Sequence, residues 1–448
     1  MIVLGAGPAG EVASGRLAEN GLAVALVERE LVGGECSFYA CMPSKGLLRP
    51  AQALAEVRRV PGAAQAVQGQ LDIAAVLARR DEIVHDLDDG AQLPWLEERG
   101  IELVRGHGVL AGERTVQVGE RTLRARRAVM LAPGTRALLP PIDGLAEARP
   151  WSNREVTSTH AIPDSLLVLG GGVVGVEMAQ AYASLGARVT LVEALERLIA
   201  GEEDFASELV REGLQESGVE VILGVKASAA RREQGTDAAV WIELEDGRTL
   251  SARELLVAVG REPRTDSLGL ETIGLQGGGS IEVDETMRVP GHDWLYVLGD
   301  ANGRVLLTHM GKYQARLASD HLLGRPVSLL SDGRTSPRVI FTEPQVAAVG
   351  YTLAGAREAG LKVRAVDQPV EGNAGGSFIG HGAPGTARIV IDEDRDVLVG
   401  ATFTGVEVAE SLHAATVAVI GEVPLARLRH AIPCFPTRSE LWLGLLEG

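Results

Sequence analysis

The segment Gly5-x-Gly7-x-x-Gly10 recurs 165 residues later as Gly170-x-Gly172-x-x-Gly175, and Glu28 recurs at the same offset as Glu193. Each copy reads apolar strand, glycine turn, amphipathic helix, second apolar strand, acid. In the first copy Glu11 to Glu19 has the helical pattern and Ala23-Val24-Ala25-Leu26-Val27 the strand pattern. In the second the helix is predicted over Val176 to Leu185 and the strand over Arg188-Val189-Thr190-Leu191-Val192. Strands alternating with helices imply a parallel sheet with right-handed crossovers. The turn has its own mechanics. Its first glycine permits the tight bend, its second leaves room for a pyrophosphate, and its third lets the helix pack closely on the strand. The helix N-terminus turns a partial positive charge toward the phosphates, and the acid ending the second strand accepts from a ribose 2′-hydroxyl. Plain strand-to-helix turns are the alternative, but they do not explain an acid in register twice. A carboxylate at Glu193 repels a 2′-phosphate, so the second site is predicted to prefer NADH to NADPH, although Arg197, which follows at some distance, could soften the preference.

Composition narrows the class. With 448 residues the chain divides into about three domains, at roughly 150 residues each. The 55 glycines exceed an ordinary share, as nucleotide-binding turns require. A formal net charge of −17 repels nucleic acid and anionic membranes, so neither is an expected partner. No cationic segment followed by an apolar one opens the sequence, and no apolar run reaches the roughly 18 residues of a membrane span, so a cytoplasmic protein is expected. The first strand is nearly absent, because only Met1-Ile2-Val3-Leu4 precede Gly5.

Between the two copies, Leu47 to Arg99 is mostly helical in pattern, broken at Pro61-Gly62, and Ile101 to Val118 has strand character. Ala128 to Ala132 reads as a buried strand ending at Pro133-Gly134, and Leu255 to Val259 as another ending at Gly260. A third, Trp294 to Leu298, ends at Gly299-Asp300. Beyond about residue 330 the texture becomes α+β, with strands near Ala387 to Ile391 and Val397 to Thr402 and a helix over Ala409 to Ile420.

Three cysteines in such a chain are too few for a secreted disulfide scaffold. Two of them stand five positions apart in Gly33-Gly34-Glu35-Cys36-Ser37-Phe38-Tyr39-Ala40-Cys41-Met42-Pro43-Ser44-Lys45. At a helix start this spacing brings two thiols together only if the first turn is distorted. A helix N-terminus and the cation Lys45 both favour the thiolate. The pair reads as a redox-active dithiol, with two buried core cysteines as the alternative. Two thiols lack the further ligands a metal site needs, so no metal is expected.

The pattern Gly-Gly-x-Cys-x-x-x-x-Cys-x-Pro-Ser-Lys from Gly33 to Lys45 resembles that of the FAD-dependent pyridine nucleotide–disulfide oxidoreductases, the family of dihydrolipoamide dehydrogenase, glutathione reductase and mercuric reductase. The resemblance covers essentially the whole chain. It implies two doubly wound dinucleotide-binding domains and an α+β C-terminal dimerisation domain, with FAD binding at 1–149, NAD(P) binding at 150–268, a central segment at 269–330 completing the FAD domain, and the interface domain at 331–448. Gly5, Gly7, Gly10 and Glu28 would serve FAD, together with Gly134, Asp300 on the ribityl chain, and Thr308-His309 near the flavin pyrimidine. Gly170, Gly172, Gly175, Glu193 and Gly260 would serve the nicotinamide nucleotide. Glu177 matches a family glutamate that pairs with the lysine matched by Lys45. Cys41 would lie against the flavin, and Cys36 would meet the substrate. Pro133 stands where the family usually has threonine, and Arg264 where it usually has asparagine.

The likeness weakens at the C-terminus. The family's disulfide reductases carry His-Pro-Thr-x-Ser-Glu, whose histidine reaches the partner subunit's dithiol as a base oriented by the glutamate. Here the segment is Phe435-Pro436-Thr437-Arg438-Ser439-Glu440. Phenylalanine moves no proton, and such help is worth typically 10²–10⁴-fold, so lipoamide or glutathione turnover should be poor. Glu440 either keeps a catalytic role or closes a capping box with Thr437. Cys434 is either a relay thiol or an incidental small residue, and His430 reads as a loop residue.

The leading expectation is a homodimeric FAD enzyme, its active site shared across the interface, passing electrons from NADH through FAD to the Cys36/Cys41 disulfide and on to a small acceptor. A reductase of quinones acting directly from flavin is the second reading, and a flavin-bound sensor with little turnover the third.

Overall fold

The structure, a computed structural model, describes residues 1–233 and 238–448. The chain forms two compact units. The first comprises Met1–Pro43, Arg79–Ala137 and Arg261–Gly333, and the second Ser44–Ala78, Leu138–Gly260 and Arg334–Gly448.

In the first unit Ile2–Leu4 is the central strand of a five-stranded parallel sheet, in the order Leu295–Val297, Val129–Leu131, Ile2–Leu4, Ala25–Glu28, Glu102–Arg105. Three residues are few for a core strand, yet both neighbours pair along its whole length and all three side chains are buried. Its apolar residues on both faces are what a strand covered on both sides requires. The helix Pro8–Glu19 begins three residues before the predicted start, because Pro8 at the first helical position lacks the N–H that would go unpaired there. This helix packs on Thr308–Leu322. The two approach closely because Gly311 stands where an added Cβ would lie 3.4 Å from the Ala9 Cβ. A small antiparallel sheet of Gly108–Leu110, Thr115–Val118 and Arg121–Arg124 completes the unit.

The second unit repeats the theme. A four-stranded parallel sheet runs Glu220–Ile222, Arg188–Val192, Ser165–Leu169, Glu254–Val257, and the helix Val173–Ser184 follows the glycine turn. The same unit carries a five-stranded antiparallel sheet, Arg338–Ile340, Gln345–Gly350, Val397–Gly405, Thr386–Asp392, Val363–Pro369. The nine residues of Val397–Gly405 are all buried, and Phe403 meets Trp442 of the last helix, Leu441–Glu447, at 5.8 Å between ring centroids. The predicted helical stretch from 47 to 99 resolves into Cys41–Arg59, Ile73–Ile83 and Leu93–Glu98 with short 3₁₀ turns between them. No helix among the described residues is long and apolar enough to cross a membrane.

Candidate active site

Both glycine turns have the same internal geometry. A Cβ on Gly10 would lie 1.8 Å from the Gly5 carbonyl oxygen, and one on Gly175 would lie 1.8 Å from that of Gly170. Gly5 and Gly170 turn the chain at φ +97° and +108°. Gly7 and Gly172 cap their helices with no side-chain partner, and a Cβ on either would meet nothing within 4 Å. That open space in front of unpaired amides is what a pyrophosphate needs, so the residues present fit a dinucleotide at each turn. The acids are held alike as well. Glu28 accepts from the Ala6 and Glu30 amides, each at 2.7 Å, and Glu193 accepts from the Gly171 amide and, at 2.8 Å, from the Leu195 amide. Arg197 is engaged within its own loop and helix start. Its guanidinium donates to the Glu202 and Ala200 carbonyls and pairs with Asp204 at 2.6 Å.

The dithiol segment follows the first acid. Gly33 at φ +116° starts a five-residue helix, Gly34–Phe38, that ends at Tyr39, and a new helix, Cys41–Arg59, begins at Cys41 itself. The required distortion is therefore a break between two helices. It lets the Cys36 thiol donate a hydrogen bond to Cys41. Both residues stand as thiols rather than as a disulfide. The Cys36 thiol is pushed far up, first by that hydrogen bond, then by burial and by the charge Cys41 can carry, while Thr308 and Lys312 oppose the rise. Thr308 Oγ1 lies 3.4 Å from Cys41 Sγ. It opens the helix Thr308–Leu322, with His309 exposed beside it.

On the first unit's side, Gly134 turns at φ +70° and leads into Thr135–Ala137, which pairs antiparallel with Arg261–Pro263. Thr135 Oγ1 donates to Asp300 Oδ2 at 2.7 Å. Burial raises the Asp300 carboxyl above its ordinary range, while Thr135 and Arg261 pull it back. Sequence reasoning missed Thr135, since a buried threonine at a strand start carries no signal of its own. In the second unit, Lys45 Nζ donates to Glu177 Oε2 at 2.7 Å, and the Phe341 amide donates to Glu177 Oε1 at 2.9 Å. The Glu177 side chain is 3% exposed, so its two partners replace the water it has lost. The Phe341 contact was equally invisible, because it joins positions 164 apart. Gly260 has φ +143°, and its carbonyl accepts from the Leu138 amide at 3.0 Å.

The C-terminal segment corrects one expectation. Thr437 and Glu440 form no capping box: Thr437 Oγ1 donates to the Cys434 carbonyl at 2.6 Å, and Glu440 Oε2 accepts from the Gly375 amide at 3.3 Å. The right spacing was present, but Thr437 is followed first by a three-residue 3₁₀ turn, Arg438–Glu440, and the α-helix begins only at Leu441. Phe435 is 76% exposed and Ile432 70%, and Cys434 and His430 are exposed with them. The described residues contain no cluster of three or more metal-ligating side chains.

Two glycine turns with their acids, and a close thiol pair between them in sequence, define a dinucleotide-dependent oxidoreductase. Residues 1–315 match the pyridine nucleotide-disulphide oxidoreductase family, and residues 336–444 match the family's dimerisation domain. A dihydrolipoyl dehydrogenase of Thermus scotoductus is 33% identical, covering 100% of this chain and 96% of that one. One from Haloferax volcanii is 30% identical over 100% and 95%, and a mercuric reductase of Staphylococcus aureus is 28% identical over 98% and 80%. Among solved structures, a Cu(II) complex of the HOCl-induced flavoprotein disulfide reductase RclA from Escherichia coli superposes with a TM-score of 0.87 at 25% identity, covering 100% of this chain and 99% of that one. The chain belongs to the pyridine nucleotide–disulphide oxidoreductase family, and is an FAD-dependent oxidoreductase that uses a reduced nicotinamide nucleotide.

Proposed function

We propose that this enzyme oxidises NADH and delivers the electrons to the Cys36/Cys41 disulfide, and from there to a small acceptor. The observation that carries the reading is the close approach of Cys36 and Cys41 at a break between two helices, in the segment that follows the first nucleotide turn. When bound, FAD supplies the two-electron relay between nicotinamide and disulfide.

The chain's own residues divide the work. Gly5, Gly7, Gly10 and Glu28 hold the FAD pyrophosphate and adenosine ribose, with Gly134, Asp300, Thr308 and His309 placed for the remainder of that cofactor. Gly170, Gly172, Gly175, Glu193 and Gly260 hold the nicotinamide nucleotide. Since Arg197 is tied to Asp204 and two carbonyls, Glu193 acts unopposed and disfavours a 2′-phosphate. Cys41 is the sulfur that faces the flavin and carries the thiolate. Cys36 is the sulfur that exchanges with the acceptor, giving up its proton as it attacks. Lys45 is held by Glu177 one helical turn beyond Cys41. FAD binding is assigned to 1–149 with 269–330, NAD(P) binding to 150–268 and the subunit interface to 331–448. The enzyme works as a cytoplasmic homodimer with the active site shared across the interface. The tail brings Phe435 where related reductases bring a histidine, so the acceptor must either need no external base or carry its own acid. Cys434 and Glu440 are lesser participants.

Reduction of the purified protein by NADH should give a long-wavelength thiolate–flavin absorbance band. A flavin that bleaches without that band would sink the proposal. A panel of NADH and NADPH against lipoamide, oxidised glutathione, quinones, Hg(II) and Cu(II) sorts the acceptor. Phe435→His tests the tail: lipoamide turnover that rises toward 10²-fold marks the missing base as the barrier.

Exposed Phe435 also favours a second reading, direct transfer from flavin to a quinone. Cys41→Ser separates the two. Quinone turnover that survives the substitution supports the direct route, and its loss supports the dithiol.

A further inference from the structure

The residue next to the interchange thiol is an acid with two arginines on it. Glu35 Oε1 accepts from Arg264 Nη2 at 3.1 Å, and Glu35 Oε2 lies 3.5 Å from Arg261 Nη2. Neither arginine ends there. Arg264 Nε donates to the Thr135 carbonyl at 3.0 Å, and Arg261 donates through Nη2 to the same carbonyl at 3.1 Å and through Nε to Thr135 Oγ1 at 2.7 Å. The Thr135 hydroxyl then uses its own proton on Asp300. A continuous polar chain therefore runs from Asp300 through Thr135 and the two guanidiniums to the first turn of Gly34–Phe38.

Three facts make this more than surface charge. The side chains of Glu35, Arg261 and Arg264 are 21%, 21% and 18% exposed, where ion pairs are less screened than on an open surface. Thr135 is 1% exposed and has its oxygen atoms committed to the network. The helix that is gripped is only five residues long, is capped by Gly33 without a side-chain bond, and has little intrinsic stability. Something outside it must hold Cys36 in place.

We propose that Arg264, assisted by Arg261, is a positioning residue that clamps the Cys36 helix through Glu35 to the Thr135–Asp300 strand end, and so keeps the two sulfurs prealigned for disulfide closure. This rests on reading Cys36 and Cys41 as the redox pair. The departure at 264 then has a purpose: the arginine there and the acid at 35 form one device. Prealignment lowers the freedom that the dithiol loses when the S–S bond forms, so it favours the disulfide.

The test is the dithiol–disulfide equilibrium of Cys36/Cys41 in the flavin-loaded enzyme, titrated in buffers of glutathione and its disulfide and read by alkylation and mass spectrometry. Arg264→Asn and Glu35→Gln should each shift the equilibrium toward the dithiol by about tenfold, roughly 30 mV for a two-electron couple. The double variant should shift it no further than either single, because the two residues act as one pair. Arg264→Lys, which keeps the charge and loses the two-pronged grip, should fall between wild type and Arg264→Asn. If Arg264→Asn fails to fold, Glu35→Gln alone carries the test. Equilibria within about twofold of wild type in the folded variants, or fully additive shifts, would overturn the clamp. If wild type itself forms no Cys36–Cys41 disulfide in any buffer, the redox assignment fails instead.

Discussion

The two glycine turns are near copies in backbone and differ in what their helices present. At matching positions the first helix has Glu11-Val12 and the second Val176-Glu177. The acid has moved by one residue, which on a helix is a rotation of about 100°. Val176 is fully buried and Glu177, beside it, meets Lys45 and the Phe341 amide. Glu11, in the place of Val176, is largely desolvated and feels the opposing charges of Lys312 and Glu28. The turns differ in a second way. Gly171 is crowded, since a Cβ there would meet Leu198 Cδ2 at 2.6 Å and Glu193 Cβ at 3.1 Å, whereas the matching Ala6 is accommodated and fully buried. The shared features are those a dinucleotide demands of any such turn. The differences are set by what each helix packs against.

That division predicts separable losses. The largest should come from the third glycines. In Gly10→Val and Gly175→Val the new side chain starts 1.8 Å from a backbone oxygen, and nothing there can give way. Gly10→Val should purify without flavin. Gly175→Val should stay yellow yet lose NADH-driven turnover by about 10²-fold or more, the scale of a misplacement of an ångström at the reacting atoms. Absorbance spectra and stopped-flow reduction distinguish them. Loss of flavin from both would show that the two turns are not independent.

Glu177→Gln comes next. It keeps an acceptor for the Phe341 amide and removes the charge that Lys45 meets. The expected cost is roughly 2 kcal/mol, within the range for leaving a charged partner unsatisfied, read as a lowered denaturant midpoint. Val12→Ala at the corresponding place in the first helix removes no such partner and should cost less. An equal cost in both variants would mean the rotation of the acid carries no consequence. A smaller effect is expected at the ribose acid. Glu193→Gln should lower the NADH-to-NADPH preference by about tenfold, the worth of one charge-assisted hydrogen bond, while Glu28→Gln should weaken flavin retention and leave that preference alone. Initial rates with both nucleotides decide it.

The parts of this molecule that were legible in the sequence are those governed by local rules. The strand Arg188–Val192 was readable to the residue, because five apolar-rich positions sit between a glycine turn and an acid. The two turns and the thiol segment were readable because each demands particular residues at fixed spacing. What failed or was missed depends on residues far apart. The Thr437 hydroxyl had a carbonyl within its own loop, and no spacing rule shows which of two partners wins. Arg197 was free in sequence to turn toward a phosphate, and Asp204 claimed it. The Glu35–Arg264 contact joins positions 229 apart, and only the pairing of Thr135–Ala137 with Arg261–Pro263 brings them together.

The smallest effect expected is also the one that reads the rotated acid most directly. Burial pushes the Glu11 carboxyl up to about 7 from an ordinary 4.5, with Lys312 opposing and the Glu28 charge adding to the rise. The folded protein thus favours the protonated form. Glu11's contribution to stability is fully present below about pH 4.5 and declines as pH climbs through about 7, where the folded state must ionise a desolvated acid. Glu11→Val copies the second helix and removes that penalty. Its melting midpoint should exceed wild type's by a few degrees near pH 8, on the order of 1 kcal/mol, and the gain should shrink toward about pH 5. A gain independent of pH would assign the effect to packing of the valine. No gain at either pH would mean that the Glu11 carboxylate is solvated, and that the first helix tolerates its misplaced acid without strain.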